Sequence, residues 1–324
     1  MVGAHVCLHL LKHGYQVFAM HRGNSDRDWM RRIFSFNGVE LNDKIQFVTA
    51  DLLDILSLES VLKGMDVVVH CAAKVSFLRK DEKALELINH QGTANLVNLC
   101  IHIPELHFIH ISSVAALGRK ENGLVNEQVR WKSYPDSSPY SITKYQAEME
   151  VWRGSEEGLN VTVLQPSYIL GPGNWYTGSA SLFRQVKKGL KYYTKAKMGF
   201  VDVRNVAEAV LQSIKQKTYG ESFIINAENI TYQQLLSKIA LEGTYPAPSK
   251  QLNRGLLKMI LPFLRFTFFL RGKTLPLNRY TLASLFSSKE FDNQKSVQNL
   301  GIQYFSIDDS IAHAWKFFKT NFKD

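Results

Sequence analysis

The feature that most limits how this chain can fold is an alternation. Short, β-branched, apolar runs are separated by segments of helical period throughout the first two thirds. Runs of that kind are buried on both faces in a parallel sheet covered by crossover helices, so a doubly wound α/β architecture is predicted. The strands are read at 16–20 (QVFAM), 45–50 (IQFVTA), 67–72 (VVVHCA), 107–112 (HFIHIS), 161–165 (VTVLQ) and 222–226 (SFIIN). Helices are placed at 3–13, about 56–63, 85–100, 140–152 and 205–215. Asn205 with Glu208 reads as a capping box for the last of these, and Thr231 with Gln234 as a second cap. Beyond Gly171 the alternation loosens into Gly, Lys and aromatic residues, which marks a smaller, mostly helical C-terminal lobe.

Composition narrows the partners. Among 324 residues, 45% hydrophobic and 21% charged is the balance of a folded core with a solvated surface. A net charge of +10 favours phosphates, acidic ligands or an anionic membrane face. No basic-aromatic module or zinc finger accompanies it, so no nucleic-acid partner is expected. Lys187, Lys188, Lys191, Lys195 and Lys197 read as a solvated face or a site for an anionic substrate. Cys7, Cys71 and Cys100 are odd in number and widely spaced, which argues against a disulfide framework or a zinc site and for a reducing cytoplasm. The opening MVGAHVCLHLLKHG lacks a basic leader and a cleavage site, so it does not read as a signal peptide. The apolar stretch 256–270 is broken by Lys258, Pro262 and Arg265 and is too short for a span of about 20 residues. It reads as a helix covering a pocket or core, with peripheral membrane contact as the alternative.

A dinucleotide pyrophosphate is held where a strand turns through glycines into a helix. Gly3 reads as the last glycine of such a turn, running into the first helix. Arg22 follows the 16–20 run in Met20-His-Arg-Gly23, where no acidic residue stands. A guanidinium there suits a 2′-phosphate, whereas NAD selectivity normally uses a carboxylate on the ribose hydroxyls, so NADP(H) is favoured over NAD(H). Asp51, with Leu52 beside it, closes the 45–50 run and is placed to meet the adenine, or to cap a turn. Ala72 and Ala73 are small enough to let a cofactor pass closely. The predicted division is 1–170, completed by 201–227, for a Rossmann-type dinucleotide-binding domain, and 171–200 with 228–324 for a substrate lobe.

Tyr140 and Lys144 stand four apart on a predicted helix and share a face. An ammonium so placed is expected to lower the phenol's pKa toward the range of a proton donor or acceptor. Tyr193 and Lys197 repeat the spacing, but no serine-bearing strand end precedes them. Ser113 closes the strand-like Ile109-His-Ile-Ser-Ser113, 27 residues before Tyr140. It is placed to bond a carbonyl or carbinol oxygen, with Tyr140 moving the proton and Lys144 holding the nicotinamide ribose. Hydride chemistry of this kind requires no metal.

Six segments carry a resemblance: Asp66-Val-Val-Val-His-Cys-Ala-Ala73, Asn89-His-Gln-Gly-Thr93, Ser112-Ser113, Tyr140-Ser-Ile-Thr-Lys144, Gln165-Pro-Ser-Tyr-Ile-Leu-Gly-Pro-Gly173 and Phe200-Val-Asp-Val-Arg-Asn-Val-Ala207. In this order, over roughly 1–227, the chain resembles the extended short-chain dehydrogenase/reductases, the NAD-dependent epimerase/dehydratase group. The similar branches are the dihydroflavonol reductases, 3β-hydroxysteroid dehydrogenases and nucleotide-sugar epimerases. The resemblance implies a seven-stranded parallel sheet, support of the active-site helix by Asn89, nicotinamide-side contacts from Pro166 and Ser167, and Ser113 as the family's serine. Three departures stand out. The family's first strand and first two glycines are not seen, so a natural start roughly ten residues upstream is expected. Val114-Ala115 replace the acidic pair of the 4,6-dehydratases, which disfavours sugar dehydration. Asn205 replaces a usual aspartate, a change a helix cap would survive.

The leading expectation is NADP(H)-dependent interconversion of a carbonyl and a secondary alcohol on a mostly apolar or aromatic small molecule. Trp175, Tyr176, Phe183, Tyr192 and Tyr193 would serve as walls, or as the lobe's own core. The alternatives are a nucleotide-sugar epimerase with tightly held NAD and a non-catalytic dinucleotide sensor. A homodimer is compatible with all three.

Overall fold

The computed structural model describes residues 1–23, 27–40, 45–120, 122–255, 257, 259, 261 and 279–322. Helix α1 (Val2–Lys12) precedes β1 (Val17–His21), α2 (Asp28–Phe36) precedes β2 (Ile45–Thr49), and α3 (Ile55–Leu62) precedes β3 (Val67–His70). Next come α4 (Glu82–Leu85), a π-helical stretch Glu86–Gln91, α5 (Gly92–Cys100), β4 (His107–Ile111), α6 (Pro139–Glu156) and β5 (Asn160–Pro166). The chain continues through β6 (Tyr168–Leu170), α7 (Ser181–Lys187), β7 (Tyr192–Tyr193), β8 (Lys197–Asp202), α8 (Val203–Gln216) and β9 (Glu221–Ile225). It then forms β10 (Glu228–Thr231), α9 (Tyr232–Gly243), β11 (Lys250–Gln251) and helices Arg279–Phe286, Gln294–Leu300 and Ile307–Asn321. Most of the 256–270 stretch lies outside the described residues.

Each strand read from the sequence is present, and the pairings are parallel as doubly wound topology requires. The sheet differs from the seven strands implied by resemblance. Among the described residues, β1–β2 form one ladder and β3–β4–β5–β9 another, and no ladder joins β1 to β3. Packing joins them instead. Val6, Leu8 and Leu10 of α1 share one core with Val17 of β1 and with Ile109 and Ile111 of β4. Phe108, the residue before Ile109, points the other way and packs with Leu96, Val97 and Val151 of α5 and α6. Alternation along one strand thus feeds two cores.

A close approach holds α5 to α6. A Cβ added at Gly154 would lie 2.6 Å from the Val97 Cγ1, and Val97 is fully buried. Gly154→Ala is therefore expected to lower unfolding stability by about 1 to 3 kcal/mol through overpacking, read as a fall in denaturant midpoint at constant slope.

One sequence reading is corrected here, and one alternative is decided. The cap of α8 is Asp202, whose side chain accepts from the Arg204 N–H, and not Asn205. Asn205 lies inside the helix and is buried, donating to the Gln303 carbonyl and accepting from the Phe305 N–H. Trp175 and Phe183 are fully buried edge-on against Phe318 and Trp315 of the Ile307–Asn321 helix, so they are core and not pocket wall. Tyr176 and Tyr192 do remain exposed. The Thr231 and Gln234 capping box is present, with both reciprocal bonds formed.

Candidate active site

Helix α6 begins as its sequence dictates. Ser138 accepts from the Ser141 N–H and Pro139 occupies the first turn, where its missing N–H costs nothing. Tyr140 therefore falls in the first turn, and Thr143, Lys144, Ala147, Glu148 and Val151 follow along the buried face. The Tyr140 phenol faces the Ser113 side chain closely enough for that hydroxyl to favour the phenolate. Ser113 ends the β4 segment, and its Oγ also accepts from the Ala115 N–H at 3.2 Å, so it closes a tight turn while facing the phenol. Phe77 meets the Tyr140 ring edge-on at 6.0 Å.

Lys144 is 2% exposed. Its Nζ donates to the Ile111 carbonyl at 2.9 Å and lies 3.3 Å from the His110 Nε2. Burial lowers its pKa to about 8, with the Glu148 carboxylate and the Cys71 thiol pulling it partly back. The expectation that this cation lowers the phenol's pKa is not met. Burial holds Tyr140 above its ordinary value, and the Ser113 hydroxyl offsets this only in part. The ammonium is tied to β4, and desolvation of the ring is the larger effect.

Asn89 reaches the same place by a different route. The predicted helix 85–100 is broken by the π-helical stretch, a local widening frequently found at functional sites. Within it the Asn89 side chain donates to the Thr143 Oγ1 and the Lys74 carbonyl, and accepts from the Lys74 N–H at 2.7 Å. One residue thereby pins the loop after β3 to α6.

The residues predicted for the cofactor are spread over several elements. Gly3 lies in the first turn of α1, 3.6 Å from the Cys71 Cβ when given a Cβ of its own. Arg22 and Asp51 line one cavity of about 300 Å³ with Thr49, Asp54 and Ser57. Asp51 also accepts from the Leu53 N–H, so the turn-capping role weighed for it is realised. Leu52 is buried, and a Cβ at Gly92 would lie 2.9 Å from its own Cβ. Ala72 and Ala73 form an exposed ledge beyond β3. Pro166 ends β5, and the Ser167 Oγ beside it is buried with no hydrogen-bond partner. A larger cavity of about 410 Å³ lies between α1, α8 and residues 301–305, and none of Ser113, Tyr140 or Lys144 lines it. Tyr193 and Lys197 sit on β7 and β8 and share no helix face.

Sequence reading passed over four polar residues of this region. His70 and His110 are register partners on β3 and β4, and Glu148 is one turn beyond Lys144. Glu148 accepts from Ser112 at 2.6 Å and from Gln165 at 2.9 Å. Thr143 is the fourth. Glu148 was findable from its four-residue offset on the buried face. A histidine inside an apolar strand carries no such signal.

The pattern of the NAD dependent epimerase/dehydratase family matches residues 1–226, and the chain belongs to that family. It is 28% identical to a putative dihydroflavonol 4-reductase of Synechocystis, over 99% of this chain and 92% of that protein. It is 25% identical to the sterol demethylase protein B of Methylococcus capsulatus, over 98% and 95%. The crystal structure of gox2253 superposes with a TM-score of 0.81 at 25% identity, covering 99% of this chain and 95% of the other. The UDP-glucuronic acid 4-epimerase of Bacillus cereus, solved with NAD, has the same fold at a TM-score of 0.77 and 20% identity, covering 99% and 96%. Such relatives make this chain an enzyme of the oxidoreductase and epimerase group. Among the described residues no helix is long and apolar enough to cross a membrane.

Proposed function

We propose that this protein is an NAD(P)(H)-dependent oxidoreductase that interconverts a carbonyl and a secondary alcohol, with Tyr140 as general acid and base. One observation carries the reading: the Tyr140 phenol faces Ser113 at the rim of the parallel sheet, with the Lys144 ammonium buried one helical turn on. The unpartnered, buried Ser167 Oγ and the open ledge at Ala72 and Ala73 fit a dinucleotide lying across the strand ends. When bound, its nicotinamide supplies or accepts the hydride. Ser113 holds the substrate oxygen, and Tyr140 gives it a proton in reduction or takes one in oxidation. Lys144 supplies positive charge to the cofactor ribose and to the proton path, and Asn89 keeps α6 in place. Gly3, Arg22, Asp51, Leu52, Pro166 and Ser167 complete the cofactor contacts, and residues 171–200 with 228–324 form the substrate lobe.

The similarity to the dihydroflavonol reductase, and the 26% identity to a rice cinnamoyl-CoA reductase, support an apolar or aromatic carbonyl substrate. The test is NADPH oxidation with a dihydroflavonol and a panel of aromatic aldehydes and ketones; failure to bind either dinucleotide would discard the reading. A retained cofactor with no net oxidation of a nucleotide sugar would move it to the epimerase branch, represented by the Vibrio cholerae UDP-glucose 4-epimerase at 26% identity.

Arg22 and Asp51 in one cavity support a preference for the 2′-phosphate of NADPH. Arg22→Ser is expected to weaken NADPH binding about tenfold to a hundredfold, the loss of a charged hydrogen bond, and to leave NADH within twofold. Fluorescence titration of both cofactors measures this, and an equal loss for the two would remove the selectivity.

A further inference from the structure

A buried pair of histidines stands beside Lys144, His110 in contact with it and His70 next to His110, and the proposed mechanism does not use them. His70 on β3 and His110 on β4 are register partners with ring centroids 5.3 Å apart. The His70 Nε2 lies 3.0 Å from the Thr93 hydroxyl, which donates to the Asn89 carbonyl at 2.6 Å. The pair is thereby fixed to the residue that bridges the β3 loop and α6.

An ammonium has three N–H donors and no acceptor. Lys144 directs one to the Ile111 carbonyl, and the His110 Nε2 stands within reach of a second. A cationic imidazole in that position would place two buried positive charges in contact. Burial, and then the nearby Lys144, hold His110 well below its ordinary value, and burial brings His70 to about 3. His110 is therefore neutral. To receive the lysine's proton its Nε2 must carry the lone pair, which puts the ring hydrogen on Nδ1. That Nδ1 is buried and has no hydrogen-bond partner. An aliphatic side chain would fill a strand position that is 1% exposed without leaving a polar atom unmet, so stability alone does not account for the histidine.

We propose that His110 is a positioning residue for Lys144, its Nε2 and the Ile111 carbonyl forming a two-acceptor seat that keeps the ammonium charged and leaves its third N–H for the site. This rests on the reading of Lys144 given above. The other groups that face the ammonium do not replace the seat. Cys71 on the β3 side has its thiol pushed up to about 12 by burial and is neutral, and His70 is a neutral ring behind His110. Tyr140 on α6 is held above its ordinary value by burial. Glu148, also on α6, attracts the charge but is occupied by Ser112, Gln165 and Trp152.

The test reads Lys144 directly. With lysine labelled at Cε with carbon-13 in the full chain, and the Lys144 signal identified by its loss in Lys144→Arg, the titration midpoint is followed by NMR. Relative to the natural chain, His110→Leu should lower the midpoint by about one pH unit, roughly the loss of one hydrogen bond to a charged group. His110→Gln, whose side-chain oxygen replaces the acceptor, should restore most of it. An unchanged midpoint in His110→Leu would overturn the proposal, as would an equal fall in both variants. Should His110→Leu fail to fold, a two-bond proton–nitrogen spectrum of the natural protein decides: a protonated Nδ1 with a pyridine-like Nε2 is expected between pH 6 and 8, and a protonated Nε2 would overturn it. Neither reading depends on turnover, so failure of the oxidoreductase assignment would appear separately, in the cofactor titration and the Tyr140→Phe assay.

Discussion

Tyr140→Phe is expected to lower turnover by about 10² to 10⁴-fold, the range carried by one general acid or base, while dinucleotide affinity changes by less than twofold. Only the hydroxyl is removed. The ring keeps its edge contact with Phe77, and the first turn of α6 keeps its Ser138 cap. Lys144 retains its bond to the Ile111 carbonyl, so the cation is not displaced. A parallel loss in cofactor binding would mean that the phenol supports structure and not proton transfer. The pH dependence follows from the direction of the phenol's shift. Burial raises the Tyr140 value, so the group is protonated at neutral pH and ready to donate in carbonyl reduction. Alcohol oxidation needs the deprotonated form, so its rate should rise with pH where reduction does not. Lys144 loses its charge as pH rises through about 8, and reduction should decline over that range. Stopped-flow measurement in both directions across pH 6 to 10 checks this, and identical profiles in the two directions would refute the assignment.

The sequence carried the strand positions because β-branched apolar runs between helical segments allow few alternatives. It singled out Ser113, Tyr140 and Lys144 as candidates because a serine at a strand end and an i, i+4 pair on a helix are local patterns. The contacts that bring them together are long-range. The His110 ring meets Lys144 across 34 positions, and Asn89 meets Thr143 across 54. Neither spacing repeats in a way that periodicity can detect. The broken helix at 86–91 was unreadable for a related reason: nothing in ELINHQ disfavours an ordinary helix, and the widening accompanies the tertiary bonds of Asn89. Whether Trp175 and Phe183 were pocket wall or core stayed open because aromatic residues in a loosely patterned lobe look alike until the Ile307–Asn321 helix is packed on them.

The same limitation applied to the 200–207 segment, where the family pattern was visible but the wrong residue was given the cap. Asp202 is fully buried, and its Oδ1 accepts from the Arg204 backbone N–H at 2.7 Å and from its Nε at 3.0 Å. Its Oδ2 accepts from the Arg204 Nη2 at 2.7 Å, while the Ser310 hydroxyl nearby donates to the Ser306 carbonyl. One carboxylate therefore closes β8 into α8. Asp202→Ala is expected to cost about 3 to 5 kcal/mol, because breaking one side of a buried ion pair leaves the remaining charge and the helix N–H groups unmet. Against a usual margin of about 5 to 15 kcal/mol, that brings the protein near unfolding. Asp202→Asn keeps an acceptor for the cap and should lose less. Desolvation pushes the Asp202 carboxyl up, but Arg204 and the backbone bond outweigh it, so its folded pKa lies below the unfolded value of 3.8. A depressed acid contributes stability that is fully present above the unfolded value and lost as pH falls through the folded one. The gap between the natural chain and Asp202→Ala should therefore be full at pH 7 and narrow below pH 4. Denaturant unfolding at both pH values measures it. A gap under 1 kcal/mol at pH 7, or one that does not shrink in acid, would place the stabilising interaction elsewhere.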